Sequence, residues 1–121
     1  MIFLGDEQAD LMVGPQQQTK IRILHPGGGS AYAISYRPQK IVEGFSGGDK
    51  PHILHIGHYH KLGSFFIRNI HVQLAGTFES QTPFMIRKGL AAHKGSYINR
   101  AELAEDGTVL NLEQQLVPFY E

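Results

Sequence analysis

The chain has 121 residues, with eleven basic and eleven acidic side chains, seven histidines and no cysteine. That length fits one domain able to bury a core, and the cancelled charge argues against nonspecific nucleic-acid binding, leaving nucleic acid only as a phosphate-ester substrate. Without thiols there are no disulfides and no sulfur-held metal, so any metal would rest on histidine, carboxylate, amide or water, a donor set that suits manganese, iron, zinc or nickel.

The opening MIFLGDEQAD has no basic region and meets an acidic cluster at once. It is not read as a secretory signal, and no apolar run is long enough to span a bilayer. The expectation is a cytoplasmic protein with no membrane partner. Residues 9–13 read as a short edge strand closed by Gly14-Pro15, and residues 16–19 as a turn. Residues 20–24 (KIRIL) alternate as a strand does, and His25 stands at the C-terminal end.

The loop Pro26-Gly27-Gly28-Gly29 is permissive, and Ser30 is a good N-cap for a helix over 31–43. Pro38 should kink or split that helix. The glycines match neither G-x-G-x-x-G nor G-x-x-x-x-G-K-[ST]. A tight turn beside His25 is therefore favoured over a phosphate cradle, and a nucleotide-binding domain is the weakest of the readings.

The stretch PHILHIGHYHK, residues 51–61, organises the rest. Residues 51–56 read as a buried strand. Gly57 would let the backbone turn, and His58 and His60, two apart, would project to one side. Strand, helix and strand make a βαβ unit, so the strands at 20–24 and 51–56 should be parallel with a right-handed crossover. Their C-terminal ends then share the sheet edge where ligands of open α/β sheets sit. By topology His25, His58 and His60 converge there, as imidazoles holding a divalent metal would. His52 and His55 face opposite ways and are expected to be structural.

Residues 64–67 and 70–75 read as a hairpin turning at Arg68-Asn69, with His71 packed or exposed in its second strand. Thr82-Pro83 could open a short helix ending at Lys88. Residues 96–103 and 108–117 flank Glu105-Asp106-Gly107 as a last hairpin.

The motif residues resemble the C-terminal part of the calcineurin-like metallophosphoesterases. That family carries D-x-H, G-D-x-x-D, G-N-H-[DE], a lone His after a strand, and G-H-x-H, in that order. Leu24-His25-Pro26-Gly27-Gly28 looks like the lone-His motif. Gly57-His58-Tyr59-His60 matches G-H-x-H, followed by Lys61 as is common. Residues 30–43 (SAYAISYRPQKIVE) look like the helix between the two motifs, and the likeness spans roughly residues 9–90. It implies a βαβ unit plus β-hairpins, as in the C-terminal half of the family's αββα sandwich, within a single domain over 1–121.

The resemblance further implies two divalent ions (manganese, iron, zinc or nickel) that activate a water or hydroxide to attack phosphorus in a mono- or diester. His25 and His58 would ligate one ion and His60 the other. D-x-H and G-N-H-[DE] are missing, and Gly5-Asp6-Glu7-Gln8-Ala9-Asp10 is out of register with G-D-x-x-D, so Asp6 and Asp10 are read as decoys. About half of a two-metal site remains, which the isolated chain should not turn over. The chain would be a C-terminal portion, one half of a split protein, or a stand-alone descendant that dimerises and binds metal without catalysis. A half-sandwich exposes sheet surface, so self-association or a complementary N-terminal half is expected. The alternative function is a non-catalytic metal-binding or assembly module.

Overall fold

Alternating apolar residues in short runs build a mixed five-stranded sheet in the computed structural model, which describes residues 8–26, 33–59, 61–76 and 94–119. The strands are β1 (Gln8–Val13), β2 (Thr19–Leu24), β3 (Ile53–Ile56), β4 (Leu62–Ile67) and β5 (Ile70–Ala75), in the spatial order β1-β2-β3-β5-β4. β2, β3 and β5 run parallel, while β1 and β4 close the edges antiparallel. The protein is thus mixed α/β and mostly strand, and the parallel βαβ pairing of β2 with β3 is as expected.

The single described α-helix, α1 (Tyr36–Glu43), connects β2 to β3. It starts later than residue 31, because 33–35 are bend and turn. Pro38 neither kinks nor splits it. As the third helical residue it lies in the first turn, where an N–H has no intrahelical acceptor to lose. Ser35, rather than Ser30, flanks the start and makes no side-chain cap. Ser30, the glycine loop 27–29 and the helix expected over 82–88 lie outside the described residues.

The period of two divides the sheet into a helix face and a hairpin face. Leu54 and Ile56 of β3 and Ile70, Val72 and Leu74 of β5 line the helix face, where they form the core with Val42 of α1 and Tyr59. Parallel strands covered on both faces read as continuous apolar runs, which is why 53–56 is nearly so. Arg22 is the polar exception, only 2% exposed. Its guanidinium donates to both oxygens of Asp10 on β1 at 2.7 and 3.0 Å and to Asp49 at 3.0 Å, and it lies 5.1 Å from the Phe45 ring centroid. That network is the fate of Asp10, which pins an edge strand to its neighbour.

Among the described residues the last hairpin, β6 (Gly95–Leu103) and β7 (Val109–Pro118), forms a two-stranded sheet of its own. It is tied to the other sheet face at separate points. The Gln73 and Asn99 side-chain amides donate to each other at 2.7 and 2.8 Å, and the Thr19 hydroxyl donates to the Gly107 carbonyl at 2.8 Å. Ser64 also bonds Gln114. Gly107 has φ +94°, and a Cβ there would stand 2.6 Å from the Gln18 carbonyl oxygen, so this docking point requires glycine.

Candidate functional site

β2 and β3 end together, because their register matches Leu24 to Ile56. The ladder continues one residue further, with the Gly57 N–H donating to the Leu24 carbonyl at 2.9 Å. His25 and His58 follow these last paired residues directly. Their rings meet with centroids 4.9 Å apart and planes inclined by 66°. Residues far apart in sequence therefore reach one small volume at the C-terminal edge, as the topology predicts. Both residues are solvent-exposed.

The turn that aims His58 differs from the expected one. Gly57 does not carry the positive φ; His58 does, at φ +77°. The Tyr59 N–H donates back to the Gly57 carbonyl at 3.0 Å. A bond from residue i+2 to residue i around a positive φ is a γ-turn of the rarer, more strained kind. A glycine would adopt it at no steric cost, and here an imidazole stands in its place.

The spacing fits two ligands of one ion. A metal–nitrogen bond of about 2.1 Å puts a ring centroid roughly 3.2 Å from the ion, so two imidazoles at ordinary coordination angles stand about 4.5–5.2 Å apart. An edge-to-face pair without an ion adopts the same range. Among the described residues no group of three or more His, Cys, Asp and Glu side chains gathers as a metal site. His60, the third expected ligand, lies outside the described residues, as does Asp6.

The remaining described histidines sit elsewhere. The Lys20 N–H donates to His52 Nδ1 at 3.0 Å, which leaves the proton on Nε2. His55 is half-buried on the hairpin face, and burial pushes its pKa down; the same cause lowers His71, whose ring packs 4.8 Å from Phe66. His52 and His71 line a cleft of about 280 Å³ with Phe66, Asn69, Thr108 and Val109, toward the other end of the strands. None of them approaches His25 and His58 through any described contact.

Sequence reasoning missed Tyr59 and Arg22. Tyr59, the variable position of G-H-x-H, is 9% exposed and belongs to the core, with its ring 5.4 Å from that of His58. An aromatic residue between two polar ones was the available signal. Arg22 read as one basic residue of an alternating strand, and its burial follows from Asp10 standing opposite it in the β1–β2 register. No family model, curated protein or solved structure matches this chain. No described helix is long and apolar enough to cross a membrane.

Proposed function

We propose that this chain is the C-terminal portion of a metal-dependent phosphoesterase. It would contribute ligands to the hydrolysis of a phosphomonoester or phosphodiester and be inactive alone. The observation that carries the reading is the meeting of His25 and His58 at the C-terminal edge of adjacent parallel strands. His25 and His58 would hold one divalent ion, manganese, iron, zinc or nickel, and His60 a second. The ions would supply Lewis-acid activation of water and charge neutralisation at the phosphoryl group. The chain's own part is to orient two imidazoles on a rigid edge and leave them open to solvent. The further ligands would come from a complementary N-terminal half or a second copy, completing the family's αββα sandwich.

Elemental analysis after loading with manganese or zinc and desalting tests the ligands. The intact chain should retain metal, and His25→Ala and His58→Ala should each lose it. Joined with the complementary half, the protein should hydrolyse a chromogenic phosphodiester, and replacing His58 and His60 with alanine should abolish turnover. Unchanged turnover would remove the reading.

A second reading, a non-catalytic metal-binding or assembly module, draws on the hairpin. Ile98, Leu110 and Leu116 are 61%, 59% and 50% exposed there, apolar surface that a partner would cover. A stable self-associated chain that retains metal but gains no hydrolysis with any complementary half would favour it.

A further inference from the structure

We propose that Tyr59 is a positioning residue that holds His58 in its strained turn so that the imidazole faces His25. The proposal rests on the reading of those histidines as a ligand pair. Its observations are separate from theirs.

The turn is clamped on both sides. Before it, Gly57 is fixed by the bond to the Leu24 carbonyl, which extends the parallel ladder to the edge of His25. After it, Tyr59 enters the core cluster with Leu54, Ile56 and Leu74. Between those anchors the chain has one residue in which to reverse from an exposed to a buried direction. A γ-turn is the shortest reversal available, and the bond from the Tyr59 N–H to the Gly57 carbonyl closes it. His58 therefore occupies a conformation that its Cβ disfavours, with φ +77°. Burial of the Tyr59 side chain opposes the relaxation that would swing His58 outward. The edge contact of the Tyr59 ring on His58 limits rotation of the imidazole as well.

A purely structural turn has no use for an imidazole at this point, since glycine would fill it without strain. Strain retained at a residue whose ring meets a second imidazole is what a preorganised ligand pair requires. Tyr59 thus acts through His58 and touches neither a metal nor a substrate itself.

The test uses the full chain with labelled histidines, and reads two signals. The nuclear Overhauser effect between the His25 and His58 rings reports the pairing without any metal. The visible band of added cobalt(II) reports ligation. The parent chain and Tyr59→Phe should show both signals. Tyr59→Ala, folded by its amide spectrum, should lose the Overhauser effect and bind cobalt about 10-fold more weakly or worse, the usual loss when a group supporting a ligand is removed. Tyr59→Val keeps some apolar burial and should lie between; it decides the matter where Tyr59→Ala does not fold. A folded Tyr59→Ala or Tyr59→Val with the parent's ring-to-ring signal overturns the proposal, whatever the cobalt result. No cobalt band in the parent, with the ring signal still dependent on Tyr59, would instead remove the metal reading and leave the positioning role standing.

Discussion

The parallel strands and the terminal hairpin are both β-structure, yet they are held by different forces. Leu54 of β3 is fully buried between β2 and β5 beneath α1, and its neighbours Ile56, Val72 and Leu74 are nearly so. The β6–β7 hairpin has longer strands, but most of its side chains are exposed. It is fixed to the sheet at polar points, chiefly the Gln73–Asn99 pair and the Thr19–Gly107 bond. A pair of strands is marginal alone, so the hairpin depends on the sheet far more than the sheet on the hairpin. The candidate ligand pair stands on the rigid member, where an orientation can be kept.

The largest effect should come from breaking the core side of this comparison. Leu54→Ala removes a fully buried side chain from the centre of the sheet and should cost about 2–5 kcal/mol in urea denaturation. Leu116→Ala, on the half-exposed hairpin, should change stability by about 0.5 kcal/mol or less. Equal losses would show that the two regions form one cooperative core.

The amide pair joining the regions should show an inverted asymmetry. Gln73 is 2% exposed, whereas Asn99 is exposed. Asn99→Ala leaves a buried amide without its partner and should cost about 1–3 kcal/mol. Gln73→Leu leaves Asn99 where water can replace the lost bonds, and should cost less. The double variant should then recover part of the Asn99→Ala loss. A larger loss for Gln73→Leu than for Asn99→Ala would place the cost in packing rather than in an orphaned amide.

How much of this was legible follows the same division. The strands and both hairpins announce themselves, because alternation and the turn residues Arg68-Asn69 and Asp106-Gly107 act locally. The positive φ at Arg68 and Asn69 is the expected hairpin geometry. The meeting of His25 with His58 was also legible, since parallel pairing alone brings two strand ends together. The start of α1 was not, because Pro38 is tolerated in a first turn and a single sequence does not fix where that turn begins. The residue carrying the bend after β3 was not legible either. Glycine is the general expectation there, and only the burial of Tyr59 transfers the reversal to His58. Arg22 was hidden because its partners Asp10 and Asp49 come from β1 and from the short 3-10 turn Gly47–Asp49, whose approach is tertiary.

Acid should separate the two sheet faces by pH. On the hairpin face, burial lowers the pKa of His55 and His71 below the ordinary 6.5. The unfolded chain binds those protons more readily, so the stability is whole above pH 6.5 and falls as the pH drops toward the depressed folded values. On the helix face, the Arg22 guanidinium hydrogen-bonded to Asp10 holds that carboxyl below the ordinary 3.8, and the same group does so for Asp49. That contribution is whole above pH 3.8 and is lost only as the pH falls through the folded carboxylate values. The melting temperature should therefore decline in two steps on acidification, with the upper step flattened in His55→Gln and the lower one reduced in Arg22→Leu, where Asp106, held down by its hydrogen bonds to Thr108, still titrates low. Loss of the upper step in Arg22→Leu, or its persistence undiminished in His55→Gln, would mean that other groups govern it and that the two faces do not titrate independently.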